Sequence, residues 1–455
     1  MVELAGVRRV HVVGAGGIGM SGLAKLLAQG GHSVSGSDLK PSRALTALKG
    51  LGVTVWVGHH PERAAQWDLV VASSAVPERD PELRAARAAG VEVWARPRLL
   101  EALTYGTPAL GVAGTHGKTT GTAMVVAALR ALGRDPSFMV GGELVDLNTN
   151  AHLGEPDLFV LETDEAFGTF LSVHLGALAV TNVEADHLDH YQTEGAVAEA
   201  FVRVAAGVAG PVVACLDDPG ARLVAERVPG VVGYGLDPAA AWRLGGVVHG
   251  PAAVSFTLTH HDDRVAVTVP RPGLHVARNA AGALALLGEL GFDVEGAATG
   301  LAGFGGVRRR FEVRARIRGV TVIDDYAHHP TEVAATIAAA RVGVPRRLVA
   351  VFQPHRFSRT AEHAGAFGRA LAAADRVLLT DVYAAGETPV PGVSGRLVAE
   401  AAAAAGADVA YLPHRADLAA AVAAEARPGD LVLLMGAGDI TAVAEELAGL
   451  LGMGR

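Results

Sequence analysis

Cysteine is nearly absent. Cys215 is the only one in 455 residues, which excludes an internal disulfide and a cysteine-rich metal site. Charged residues are also sparse at 19%, while half the chain is hydrophobic; that balance belongs to a well-packed globular chain and not to a disordered one. No excess of positive charge is present either. The formal net charge of −8 gives no general attraction for nucleic acid or an anionic membrane surface. Any anionic ligand must therefore be held by local clusters of Arg, Lys and backbone N–H groups. No apolar run reaches the roughly 18–20 residues that span a bilayer, and no charged-then-apolar leader precedes the first expected strand near Val7. The expectation is a soluble, cytoplasmic protein with neither nucleic acid nor membrane among its partners.

What is present is repeated alternation of short β-rich runs with helical patterns. The length exceeds what one hydrophobic core serves, so two to three domains are expected. Residues 8–13, 33–38, 53–57, 69–72 and 91–94 read as strands, with helices at 18–29 and 81–89. Strands separated by helices argue a parallel, doubly wound sheet. Thr107-Pro108 marks a boundary. In the next segment 158–162, 177–181 and 212–216 read as strands, and 253–269 as an alternating, antiparallel patch. From Val313 onward, 321–324, 347–352, 376–380, 408–412 and 431–435 read as strands between Ala-rich helices. The run 398–406 is low in complexity, but Ala is the best helix former, so it reads as a surface helix. The expected fold class is α/β, three domains in series: residues 1–107, 108–312 and 313–455.

Residues 114–120 read Gly-Thr-His-Gly-Lys-Thr-Thr, between the apolar run 109–113 and the helix-forming stretch 123–132. Strand, glycine turn, Lys-Thr, helix is how a chain holds a nucleoside triphosphate. Backbone N–H groups and the helix N-terminus face the phosphates, Lys118 neutralises them, and the Thr119 hydroxyl reaches Mg²⁺. The strict pattern has Gly five residues before Gly117, where this chain has Val112. An earlier cluster, Gly14-Ala-Gly16-Gly17-Ile-Gly19, also follows a strand and opens a helix, with Asp38 ending the next strand. By itself it fits NAD as well as another diphosphate, such as a UDP-sugar. A dehydrogenase has no use for a triphosphate site at Lys118, whereas a ligase or kinase acting on a nucleotide-linked substrate needs both loops.

Glu162-Thr-Asp164-Glu165 ends an apolar strand, which aims carboxylates into the crevice where α/β sheets bind ligands. Such oxygens suit Mg²⁺, although a solvated acidic turn would look alike. Another strand leads into Asn182-Val-Glu184-Ala-Asp186-His187-Leu-Asp189-His190, where a neutral His187 imidazole can ligate metal. The last segment adds Asp324-Asp325-Tyr326-Ala-His328-His329-Pro330 and Phe352-Gln-Pro-His355-Arg356-Phe-Ser-Arg359-Thr360. Arg356 and Arg359, three apart on a helix, share a face. They suit bidentate capture of a carboxylate or phosphate, unless they merely bridge to surface acids.

Together these stretches resemble the Mur ligases, the ATP-dependent amide-forming enzymes of peptidoglycan precursor synthesis. The matching stretches are 14–22, 114–120, 182–191, 306–312, 324–332, 352–360, 381–387 and 436–440, spread over all three segments. The family's triphosphate loop tolerates a residue other than Gly at the Val112 position. The resemblance implies a Rossmann-like N-terminal UDP-sugar-binding domain, a central P-loop ATPase-like ATP-binding domain and a Rossmann-like C-terminal amino-acid-binding domain. It implies ligation of L-alanine to the carboxylate of UDP-N-acetylmuramic acid through an acyl phosphate, with ATP as co-substrate and two Mg²⁺ ions.

The resemblance also carries roles. Gly114, Thr115, His116, Gly117, Lys118, Thr119 and Thr120 would hold the ATP phosphates, Thr119 and Glu162 one metal ion, and His187 a second. Asn279 would contact adenine, Arg310 the γ-phosphate, and Asp325 the ribose or nucleotide. Tyr326, His328, Arg356 and Arg359 would line the amino-acid pocket, and Gly16, Gly17, Gly19 and Ser21 would surround the UDP diphosphate. Lys118, Glu162, His187 and Arg310 form the implied catalytic set. A domain closure on ATP binding is expected, in a monomer or homodimer. Three departures stand out: Ala166-Phe167 after Asp164-Glu165 where the family has Ser-Asp, Val276 for an Asn, and Gly121 for a Thr. Alternatives are a murein-peptide ligase adding a peptide to the same UDP-sugar, an NAD-dependent dehydrogenase, or a non-catalytic nucleotide-binding descendant.

Overall fold

The structure, a computed structural model, describes residues 4–186, 191–342 and 347–453. The chain forms two compact units. The first ends at Gly305; the second is mainly the chain from Gly306 onward, with the short stretches Val247–Ser255 and Val269–Ala277.

The first unit begins with a five-stranded sheet in the order Thr54–Val57, Ser33–Asp38, Arg9–Val13, Leu69–Ala72, Glu92–Ala95, every pair parallel. The central strand is buried from Val10 to Val13. The chain winds outward from it first to one side and then to the other. That reversal leaves a crevice at the C-terminal end of Arg9–Val13, where doubly wound sheets bind ligands. The glycine turn begins there. Gly14 (φ +81°) turns the chain left-handed, and the N–H groups of Gly14 and Ala15 both donate to Ser37 O. Helix Ile18–Gln29 follows, capped by Gly17 without a side-chain cap and buried from Met20 to Leu27.

This helix fastens the sheet to the next one. Lys25, 4% exposed, donates to Asn150 Oδ1 at 2.7 Å and Thr149 Oγ1 at 3.2 Å, and Asn150 Nδ2 donates to Ile18 O at 2.8 Å. Lys25 meets neutral acceptors, and burial lowers its pKa.

The second sheet has ten strands in the order Asp263–Val269, Val254–His260, Trp242–His249, Val232–Gly235, Val212–Cys215, Leu175–Val180, Ala109–Ala113, Glu155–Glu162, Pro136–Leu144, Thr149–His152. Ala109–Ala113 is fully buried and parallel to both neighbours. Four strands escape the sequence pattern: Val232–Gly235, Trp242–His249, and the antiparallel pair Pro136–Leu144 and Thr149–His152. Gly245-Gly246 and Gly141-Gly142 interrupt the β-rich runs in two of them.

The second unit carries a six-stranded sheet: Glu312–Ile317, Val320–Asp325, Leu431–Met435, Leu348–Phe352, Arg376–Leu379, Val409–Tyr411. All pairs are parallel except the first, where Glu312–Ile317 runs antiparallel along the edge. Both faces are covered. One core holds Phe352, Phe367 and Leu371, the other Val351, Leu434 and Leu447, so the inner strands are continuous hydrophobic runs. The Ala-rich helix Gly395–Ala404 buries Val398, Ala399 and Ala402. No helix among the described residues is long and apolar enough to cross a membrane.

Candidate active site

The triphosphate loop is shaped by its glycines and by the segment after strand Leu175–Val180. Gly114 sits at φ +143°, and a Cβ there would lie 2.0 Å from Thr181 Oγ1. Gly117 caps helix Lys118–Ala131 at φ 82°, with the Asn279 amide packed on its α-carbon. Thr181 O–H and Asn182 Nδ2 donate to His116 O, and the Thr115 hydroxyl accepts from Glu184 N. The His116 ring lies 3.3 Å from Glu184 Oε2. The Val112 departure now has a physical reason. Val112 belongs to the buried strand and not to the turn, and its Cγ1 lies 3.1 Å from where a Gly121 Cβ would stand. Two departures from the usual loop therefore fit each other.

Charge converges on this loop. Lys118 Nζ donates to Gly114 O at 2.7 Å, Thr115 O at 3.2 Å and both Glu165 oxygens at 2.8 Å. Burial opposes the ammonium charge, but Glu165, Asp164 and Glu162 outweigh it and raise the lysine pKa. Burial pushes Glu165 up to about 7 despite the Lys118 charge. Thr119 Oγ1 donates to Glu162 Oε1 at 2.9 Å, and Gly141 N to Glu162 Oε2 at 2.5 Å. The structure thus joins Thr119 to Glu162 through a hydrogen bond. Thr120 lies in the first turn of the same helix. Asn279 is buried beside the loop, and Val276 is buried in the helix that carries it, Leu274–Glu289. His187 lies outside the described residues, as do Asp189 and His190.

A second cluster forms in the other unit at the C-terminal ends of strands Val320–Asp325 and Leu348–Phe352. Rings follow one another: Tyr326 to His328 at 5.2 Å, His328 to His355 at 5.8 Å, and His355 to Tyr383 at 5.7 Å, the last pair stacked. Burial, then His328, Arg359 and Arg356, push the His355 pKa down to about 3. The imidazole is therefore neutral at physiological pH. Arg356 caps helix Phe357–Leu371 at φ 71°, ψ 138°, a conformation that costs a non-glycine residue free energy and that clusters at functional sites. Its Nε donates to Glu387 Oε1 at 2.7 Å, and Ser358 donates to the same carboxylate through both N–H and O–H. Arg359 is 6% exposed in the same helix. Tyr383 and Glu387, which the structure adds to this cluster, carry no sequence signal beyond lying in the stretch 381–387.

Arg310 stands between two residues with positive φ, Arg309 and Phe311. Its guanidinium lies 4.9 Å from the Tyr326 ring centroid, as does that of Arg309. Asp325 is buried, accepting from Phe311 N at 2.8 Å and Ala327 N at 2.7 Å. It braces the turn that presents Arg310, and burial raises its pKa to about 6.

At the glycine turn of the first sheet, Gly16 N donates to Asp38 Oδ2 at 2.9 Å. Gly17 and Gly19 lie at the start of the following helix. Ser21 is buried one turn in, its hydroxyl donating to Ile18 O at 3.0 Å.

Comparison with known proteins agrees with this fold. Residues 9–106 match the Mur ligase family catalytic domain, 112–287 the Mur ligase middle domain, and 309–438 the Mur ligase glutamate ligase domain. The UDP-N-acetylmuramate–L-alanine ligase of Mycolicibacterium vanbaalenii is 45% identical over 97% of this chain and 96% of its own length. That of Clavibacter michiganensis is 46% identical over 95% and 91%. Among solved structures, the UDP-N-acetylmuramate–alanine ligase of Thermotoga maritima superposes with a TM-score of 0.84 at 28% identity, covering 97% of this chain and 98% of that one. A murein peptide ligase from Psychrobacter arcticus shares the fold (TM-score 0.73, 24% identity, 98% and 99% covered). With domain matches along most of its length and relatives that span nearly all of it, the chain belongs to the Mur ligase family.

Proposed function

We propose that this chain joins L-alanine to the carboxylate of UDP-N-acetylmuramic acid, converting ATP to ADP and phosphate, as a cytoplasmic step of peptidoglycan precursor synthesis. The observation that carries the reading is the 45% identity, over 97% of the chain, to a relative named UDP-N-acetylmuramate–L-alanine ligase. In this reading residues 1–107 bind the UDP-sugar, 108–312 bind ATP and 313–455 bind the amino acid, in a monomer or homodimer.

A carboxylate is a poor electrophile because its charge and resonance repel a nucleophile. Transfer of the γ-phosphoryl group from ATP to a carboxylate oxygen creates an acyl phosphate. The alanine amine then attacks the carbonyl carbon, and the tetrahedral intermediate collapses by expelling phosphate. The protein's task is to position anions and to neutralise charge. Lys118 and the N–H groups of the loop hold the β- and γ-phosphates, with Arg310 reaching the γ-phosphate. Asn279 holds adenine, and Asp325 the ribose side of the nucleotide. Arg356 and Arg359 grip the alanine carboxylate, with Tyr326 and His328 beside it.

The Thr119 hydroxyl and Glu162 carboxylate are oxygen donors 2.9 Å apart, a set that fits Mg²⁺. When bound, Mg²⁺ supplies charge neutralisation at the transferring phosphoryl group. His187 is assigned to a second ion on the family resemblance alone.

Phosphate release from ATP tests the proposal when UDP-N-acetylmuramic acid is supplied with L-alanine, glycine, L-serine or a tripeptide. Turnover with L-alanine is expected. Turnover with the tripeptide alone would move the chain to peptide ligation. NADH binding without phosphate release would overturn the ligase reading.

A further inference from the structure

The glycine turn itself, residues 14–19, contains no cationic side chain, yet a UDP diphosphate carries two negative charges to it. We infer that Arg96 is the cation that clamps the diphosphate of the UDP-sugar against Gly19, an inference that rests on the proposed function of the first sheet.

Three observations carry it. Arg96 directly follows strand Glu92–Ala95, which pairs with Leu69–Ala72, itself the neighbour of Arg9–Val13. It therefore emerges on the same edge of the sheet as the glycine turn. Its guanidinium lies over the Gly19 α-carbon. A Cβ added to Gly19 would stand 3.1 Å from Arg96 Cζ and 3.3 Å from both Nη atoms. Third, Arg96 Nε is buried without a hydrogen-bond partner, and no carboxylate pairs with Arg96 among the described residues. Arg98, two residues on, differs: it pairs with Glu101 at 2.8 Å and lies over the Trp94 ring. A buried N–H left unpaired carries a desolvation penalty that an acceptor from a ligand removes. A guanidinium fork is matched to phosphate oxygens. Glycine at 19 lets the fork and the helix N-terminus face one anion from two sides.

Calorimetric titration of UDP, UDP-N-acetylmuramic acid and ATP into wild type, R96A, R96K, G19A and R98A tests this. R96A should bind both uridine ligands about 10–100-fold more weakly while keeping wild-type ATP affinity and melting temperature. R96K should fall between, because a point charge restores attraction but not the fork. G19A, which displaces the guanidinium without removing it, should follow R96A, and R98A should match wild type. Unchanged UDP affinity in R96A overturns the role of Arg96 alone. An equal loss in R98A overturns it too, by reducing the effect to general charge. Wild-type protein that binds ATP but neither uridine ligand overturns the UDP-sugar reading itself.

Discussion

Lys118 is held by four acceptors, two of them oxygens of Glu165, a residue 47 positions away. Replacing it with alanine removes the loop's charge from the transferring phosphoryl group. Kcat in the phosphate-release assay should fall about 100–1000-fold, and a K118A enzyme with full activity would refute the role given to this loop. His355 gives a pH prediction. Its folded pKa, about 3, lies below the ordinary histidine value because of burial and the neighbouring cations. Its contribution to stability is thus complete above about pH 6.5 and is lost as pH falls toward 3. Between pH 7 and pH 5 the wild type should lose about 1–2 kcal/mol more than H355Q, which cannot titrate there; parallel urea midpoints would refute it. Sequence made Lys118, Thr119 and Glu162 legible because glycine spacing and a strand end announce them. Glu165 as the partner of Lys118, or Glu387 as the partner of Arg356, could not be read. Those contacts close only when distant strand ends meet.

At the scale of elements, the helix Ile18–Gln29 serves two purposes: its N-terminus faces the crevice and its body locks onto the strand Thr149–His152. The lock is the buried Lys25–Asn150 contact. Asn150→Ala should destabilise the first unit by about 1–3 kcal/mol, because it leaves a buried ammonium short of an acceptor. Urea unfolding measures this, and a variant as stable as wild type would show the lock to be dispensable. Buried parallel strands such as Leu69–Ala72 and Leu431–Met435 were legible to within a residue, since continuous runs of valine and leucine have few other uses. Glu312–Ile317 was not. Its sequence, Glu-Val-Arg-Ala-Arg-Ile, does alternate polar and apolar residues as a half-exposed edge strand does, but Glu and Ala are poor strand formers and the run is short, so the signal is weak.

For the molecule as a whole, a net charge of −8 coexists with cations placed one by one at strand ends: Lys118, Arg310, Arg356, Arg359 and Arg96. Anion binding should therefore depend on these placements and not on bulk attraction. ATP at 100 times its dissociation constant should stabilise the folded chain by about 2.7 kcal/mol, seen as a rise in melting temperature that K118A largely loses. Phosphate release should stop on chelation of divalent cations and return with Mg²⁺. Failure of Mg²⁺ to restore it would argue against the Thr119–Glu162 oxygen set.

The pairing of Lys118 with Glu165 has one more consequence, visible in the solvent. When nucleotide phosphates take the ammonium, the buried carboxyl loses the cation that opposes its neutralisation, although burial already raises its pKa to about 7 with that cation beside it. Near neutral pH it must then draw a proton from the buffer. The heat of ATP binding should change with the buffer's own ionisation enthalpy, with a slope of up to about one proton per nucleotide. Equal heats in phosphate and Tris would mean that Glu165 keeps its hold on Lys118 when ATP arrives.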